Sequence, residues 1–218
     1  EMIKEMIGEN IVSPSAITGI FPAKRSGDDI LVLNEDDRKK ELTRFCFLRQ
    51  QLKSEKNISY SLADFIDQEE DYIGAFAVTA GHGISQYAKR FKESNDDYNA
   101  ILVQTLGDRI AEALAEMFHH KTRVLWNIEE DEQYSKQELL DEKYQGIRPA
   151  PGYPATPDHS IKQNIWELLD VKKHLNIDLT ENFAINPASS ISGLYFAHPQ
   201  AKYFNIGKIS KDQVQDYA

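Results

Sequence analysis

The chain has 218 residues, room for one large domain or two small ones, and its 35 acidic against 25 basic side chains give a formal net charge of −10. That charge repels a phosphate backbone and argues against nucleic-acid binding, and no apolar run approaches the ~20 residues a membrane span needs. A single cysteine, Cys46, excludes a disulfide scaffold and a thiolate metal site and points to a reducing, cytoplasmic compartment.

The chain opens Glu1-Met2-Ile3-Lys4, without an initiator methionine or the basic and apolar regions of a signal peptide. It closes Val214-Gln215-Asp216-Tyr217-Ala218 inside a helical pattern, so both ends read as cut, as expected of a module from a longer protein. Strand-type segments come first, at Thr18–Phe21, Ile30–Leu33 and Phe45–Leu48, with turn chemistry at Ser26-Gly27-Asp28-Asp29 and Asn34-Glu35-Asp36-Asp37. The almost wholly apolar run Tyr72–Val78 predicts a buried strand, and a short helix is expected around Ile84–Phe91. Leu102, Leu106, Ile110, Leu114 and Met117 then recur at helical spacing, the stripe of a long helix with Asn95 and Asp96 as caps. Ser135-Lys136-Gln137-Glu138 is a capping box, with Gly146 expected to close its helix in a left-handed conformation. Thr156-Pro157-Asp158 predicts the start of a helix carrying Ile161, Ile165, Leu168 and Leu169, and Ser210-Lys211-Asp212-Gln213 reads as a second capping box. Leu179–Ile185, Gly193–Phe196 and Tyr203–Ile209 are further strand candidates. Strands and helices do not alternate regularly, which disfavours a doubly wound parallel sheet and gives an α+β class in one domain.

Several possible sites carry little. Thr79-Ala80-Gly81-His82-Gly83 sits where a nucleotide-binding loop would, between strand and helix, but it lacks a third glycine and a downstream acid, and reads as an ordinary turn. His119 and His120 are adjacent, so on a helix they diverge by about 100° and cannot grip one metal together. His82, His159, His174 and His198 lack zinc spacing, and no His-Glu-x-x-His or Gly-x-Ser-x-Gly occurs. The segment Gly146–His159 differs in kind, with four of the eight prolines falling between positions 149 and 157. Proline fixes φ and restrains its predecessor, so this is a stiff loop displaying Arg148 and Tyr153. A guanidinium and an aromatic on a rigid backbone suit capture of a carboxylate beside a flat ring; a purely structural connector, with Arg148 on a helix carbonyl, is the other reading.

Gly146–His159 closely resembles the signature loop of the activation domain of cobalamin-dependent methionine synthase. Phe21–Ile30, Leu62-Ala63-Asp64-Phe65, Asp71–Thr79, Asp96-Asp97-Tyr98-Asn99, Ile165–Leu169, Ser192–Pro199 and Lys202-Tyr203-Phe204 resemble that family too, in family order. The resemblance spans nearly all of residues 1–218. It implies a single C-shaped α+β domain with helices around a bent, mainly antiparallel sheet, unrelated to Rossmann methyltransferases. It also implies a module that binds S-adenosylmethionine and docks on a cobalamin module of the same enzyme. There it would support reductive remethylation of inactive cob(II)alamin in methionine biosynthesis, with an electron from flavodoxin or another reductase.

Carried over residue by residue, the resemblance makes Arg148 the partner of the ligand carboxylate, with Ala150 and Gly152 supplying backbone contacts. Tyr153 faces the corrin, and Tyr203 and Phe204 form the aromatic pair at the ligand; Phe204 stands where another tyrosine can occur, so no hydroxyl contact is expected there. Glu112 and Glu142 match acids near the methyl donor, where a carboxylate favours a sulfonium cation. The family domain begins upstream and uses an aspartate there for the adenosine part; no residue of this chain takes that role, and a fragment that folds but binds weakly is expected, inactive by itself, with no metal of its own. The alternative is a non-catalytic docking or scaffold module for a reductase, without ligand binding. An acidic redox partner would need a local basic patch, for which Lys39-Lys40 with Arg44, or Lys24-Arg25, are candidates.

Overall fold

Two faces of one strand organise the molecule. The computed structural model describes residues 1–51, 58–130 and 134–217, so Ala218 lies outside the described residues. In β4 (Asp71–Thr79), Ile73, Ala75 and Ala77 join one apolar cluster while Phe76 and Val78 join another on the opposite side. Side chains alternate across a strand, so a strand covered on both faces reads as a continuous apolar run.

β4 lies inside a five-stranded sheet. Its neighbours are β1 (Ser15–Ser26), which pairs further with β2 (Asp29–Leu33), and β2 pairs with β3 (Glu41–Cys46). On the other side of β4 stands β7 (Ser190–Tyr195), in register Phe76↔Gly193. Every pairing is antiparallel. β1 is long enough to serve two partners, Ser15–Ala23 along β4 and Ala23–Ser26 along β2. The turn 26–29 closes the β1–β2 hairpin with Ser26 opposite Asp29, and the Asn34 carboxamide oxygen accepts from the Asp36 and Asp37 N–H groups in the next turn. The third strand runs over Glu41–Cys46, earlier than the expected Phe45–Leu48; Phe47 and Leu48 are buried beyond its end.

Helices cover both faces. On one, α5 (Ile161–Leu169) and α6 (Val171–Leu175) place Ile161, Ile165, Leu169 and Val171 against Phe45, Phe65 and Phe196. On the other, α3 (Asp97–Leu125) lies against β4 and β7, and α1 (Met2–Gly8) and α2 (Gly83–Glu93) pack beside it. Asp96 caps α3 through the Asn99 N–H; Asn95, with φ 60°, belongs to the turn that ends α2.

The buried face of α3 is not the expected leucine stripe. Ala100, Val103, Gly107, Ala111 and Ala115 are buried, whereas Leu102, Leu106, Ile110 and Leu114 flank the seam and Met117 is exposed. Small side chains let the helix approach closely: a Cβ on Gly107 would lie 2.6 Å from Ser189 Oγ and 2.8 Å from Ile84 Cγ2.

Other local expectations shift for identifiable reasons. The capping box on Ser135 and Glu138 forms, but its helix, α4 (Lys136–Leu140), is short, and Glu142 with φ 49° takes the left-handed position instead of Gly146. Gly146 stands where the Phe196 carbonyl oxygen would lie 2.5 Å from a Cβ. α5 starts at Ile161, and the Asp158 carboxylate accepts from the Ser160 N–H and hydroxyl, so Thr156 is not its cap. Leu179–Ile185 is not one strand but a small hairpin, β5 (Asp178–Leu179) with β6 (Ile185–Asn186). Tyr203–Ile209 forms no strand. In α7 (Lys211–Tyr217) the Ser210 hydroxyl bonds Asp212, while buried Gln213 accepts from the Arg49 N–H and so does not complete the box.

Candidate functional site

The proline-rich loop extends the sheet beyond β7. Ile147 and Phe196 exchange both backbone hydrogen bonds at 3.0 Å, and the Leu194 N–H donates to the Pro149 carbonyl at 3.0 Å. Residues 147–149 therefore lie along the outer edge of β7. The chain then folds into a tight turn in which Gly152 N–H donates to the Thr156 carbonyl at 2.8 Å and Thr156 N–H to the Tyr153 carbonyl at 2.9 Å. Gly152 is not replaceable in this turn: its φ is +100°, and a Cβ would lie 2.2 Å from the His159 ring.

A second segment braces the loop. The Tyr203 hydroxyl accepts the Arg148 N–H at 3.0 Å, and the Ile206 N–H donates to the Pro154 carbonyl at 3.0 Å. The segment 203–206 thus meets the loop through one side-chain hydroxyl and one backbone N–H, while the Asn205 carbonyl accepts from Gln50 Nε2. Phe204 packs on Tyr60 and Phe65, with ring centroids 5.8 and 6.4 Å away.

Between the loop, this brace and α3 lies a cleft of about 620 Å³. Of the residues expected at the site, Glu112, Glu142, Arg148, Ala150, Tyr153, Tyr203 and Phe204 all line it. Gly152 does not line it and acts through the turn. Tyr153 stands at the rim, 62% exposed. Pro149, Pro154 and Ala155 of the same stiff loop also contribute to the walls, as do Ile191 and Asn205, which were not singled out from sequence.

Arg148 is the electrostatic centre. Its Nη2 donates to Glu116 Oε2 at 3.0 Å, and Nη1 lies 3.9 Å from Glu112 Oε2. Among the described residues it caps no helix carbonyl, and its buried Nε has no acceptor. Burial works against the guanidinium charge, but Glu116 together with the Tyr203 and Tyr144 phenols more than offsets it and holds Arg148 above its usual value. Burial pushes the Tyr203 phenol up, against the Arg148 N–H and guanidinium, which favour its ionised form. Glu116 was missed from sequence; its signal is the four-residue offset from Glu112, which puts both carboxylates on one helix face.

Behind this pair, Phe76, Tyr195 and His119 form a continuous stack, with centroids 4.7 Å apart and then 5.0 Å, and Tyr144 meets His119 edge-on. Burial, with Arg123 and Arg148 nearby, depresses the His119 pKa from 6.5 to about 2, so this ring is neutral. Arg123 pairs with Glu129, and its guanidinium lies 3.9 Å over the Tyr144 ring. Among the described residues, no group of three or more His, Cys, Asp or Glu side chains is placed to hold a metal ion.

The Gly81-His82-Gly83 turn packs closely on the N-terminal segment, and the Gly81 N–H donates to Thr79 Oγ1. Gly81 has φ +123°, a Cβ there would meet Ser13 at 2.6 Å, and one on Gly83 would meet the Ile11 carbonyl at 2.7 Å. The candidate basic patches are partly spent: Arg44 pairs with Asp29 and Glu41, and Arg25 with Asp64. No described helix is long and apolar enough to cross a membrane.

A family model described as the activation domain of vitamin B12 dependent methionine synthase matches residues 1–218. A solved structure, the crystal structure of the MetH reactivation domain bound to AdoHcy, is similar at TM-score 0.95 and 46% sequence identity, over 99% of this chain and 68% of that chain.

Proposed function

Because this chain belongs to the activation-domain family of vitamin B12-dependent methionine synthase, we propose that its cleft binds S-adenosylmethionine and that the domain thereby supports reductive remethylation of a cobalamin held by a neighbouring module. The observation that carries this is convergence: Arg148, three aromatic rings and two carboxylates from distant stretches of chain line one cleft. A similar solved structure is described as bound to AdoHcy, the demethylated form of the same ligand.

The residues fit such a ligand chemically. Arg148 lines the cleft and offers the ligand's carboxylate a fixed cation with donors that Glu116 does not take up. Glu112 and Glu142 place negative charge where a sulfonium or ammonium gains Coulomb energy. Tyr203 and Phe204 present ring surface to the adenine, Ala150 offers backbone groups, and Gly152 keeps the turn in place. Tyr153, exposed at the rim, is the residue that meets the corrin. When bound, S-adenosylmethionine supplies a methyl group on a positively charged sulfur. The chain's own residues hold and orient this donor; the corrin belongs to the cobalamin module of the same enzyme, and the electron to flavodoxin or another reductase. The domain acts as a part of the methyltransferase and not alone, within the cytoplasm, where the free Cys46 thiol is at home.

Calorimetry with S-adenosylmethionine tests the assignment. The chain binds it, and Arg148→Ala weakens binding by at least ~1.5 kcal/mol, through loss of a charged hydrogen bond. Absence of any ligand-dependent heat or thermal shift in the unaltered chain would overturn the proposal and favour the ligand-free docking module.

A further inference from the structure

Arg148 has two acidic neighbours one helical turn apart, and they are not equivalent. Glu116 makes the short contact, 3.0 Å to Nη2, with its side chain 25% exposed. Glu112 stands 3.9 Å from Nη1 and is 47% exposed. Glu112 lines the cleft and Glu116 does not. Glu116 therefore approaches the guanidinium from outside the ligand volume, while Glu112 shares that volume.

The helix backbone that carries Glu116 is packed against the body of the domain. Ala111 and Ala115 are fully buried in the seam of α3, so a carboxylate at position 116 has a fixed origin. On the other side, the Arg148 backbone is fixed by Tyr203 and by the pairing of Ile147 with Phe196. The arginine side chain between these anchors would otherwise have several free torsions, costly to order at the moment of binding. Glu116 engages Nη2, while Nη1 stands 3.9 Å from the carboxylate of the cleft-lining Glu112. The guanidinium keeps donor capacity that Glu116 does not consume.

We infer that Glu116 is a positioning residue, gripping Arg148 Nη2 from behind the cleft so that the remaining donors are held for the ligand carboxylate, while Glu112 is the exchangeable partner that the carboxylate displaces. This rests on the proposed role of Arg148. It predicts that Glu116 governs recognition of the carboxylate specifically, not occupancy of the cleft in general. Glu112, released from Arg148, then turns to the cationic part of the ligand.

The test compares S-adenosylhomocysteine with its decarboxylated analogue, by calorimetry on the full chain and its Glu116→Ala, Glu116→Gln and Arg148→Ala variants, each checked for folding by circular dichroism. Glu116→Ala should weaken S-adenosylhomocysteine about tenfold and the analogue less than about twofold, and Glu116→Gln, which keeps an acceptor but no charge, should fall between. Equal weakening of both ligands in the Gln variant, or none, overturns the inference. If the unaltered chain does not discriminate between the two ligands, the Arg148 assignment falls, and the Glu116 inference with it. If Arg148→Ala abolishes discrimination but both Glu116 variants retain it, only the Glu116 inference falls.

Discussion

Protonation of His119 sets an acid limit on this fold. The imidazole is 1% exposed, stacked on Tyr195, and its Nδ1 has no hydrogen-bond partner among the described residues. Burial, reinforced by the Arg123 and Arg148 cations, lowers its pKa from 6.5 to about 2. A histidine depressed in the folded state takes up a proton on unfolding once pH falls below its ordinary pKa. The unfolded state then binds more protons, and stability is lost as pH falls. The penalty grows by roughly 1.4 kcal/mol per pH unit below the unfolded pKa, so it amounts to about 2 kcal/mol at pH 5 relative to pH 7.5. His119→Phe keeps a flat ring against Tyr195 and removes the titration. Urea unfolding of both proteins at the two pH values isolates the effect, since contributions from other titrating groups cancel in the difference. The unaltered chain should lose about 2 kcal/mol more than the variant between pH 7.5 and 5. An equal loss in both proteins would refute the claim that His119 is buried neutral. The consequence reaches the site, because His119 lies one turn beyond Glu116 on α3.

Two further outcomes follow from packing and charge. Gly107→Val should destabilise the chain by about 1–3 kcal/mol in urea unfolding, because the new Cβ meets Ser189 and Ile84 at under 3 Å and α3 must shift from the sheet. Lys39→Glu with Lys40→Glu should slow reductive activation of the assembled enzyme by an acidic donor, more at low than at high salt, with unfolding changed by less than about 0.5 kcal/mol. These exposed lysines are the test because Arg44 and Arg25 are held by carboxylates of the chain itself.

Much of the molecule is written locally. The apolar run at residues 72–78 identified a strand buried on two faces, the capping chemistry of Asp96 and Ser135 marked helix starts, and the prolines of residues 149–157 marked a stiff loop bearing Arg148. The resemblance in ordered motifs identified the family, and with it seven residues that the fold gathers around one cleft. Local patterns failed where the deciding partner was far away in sequence. The leucine stripe of α3 announced a helix but not its buried face, because Ala and Gly carry little hydrophobic signal while permitting the closest approach. Residues 203–209 have the aromatic and branched side chains of a strand, yet they brace the proline-rich loop through the Tyr203 hydroxyl and the Ile206 N–H without forming one. Glu116 looked like any surface acid on a helix. Only the tertiary structure put it 3.0 Å from Arg148, since contact between positions 116 and 148 depends on how α3 crosses the edge of β7. Most of the elements, the family and the stiff loop were legible from short-range backbone preferences and residue identity. The folded structure decided which helix face is buried, which acids meet the arginine and where the cleft lies, because these depend on distances between segments that no local pattern encodes.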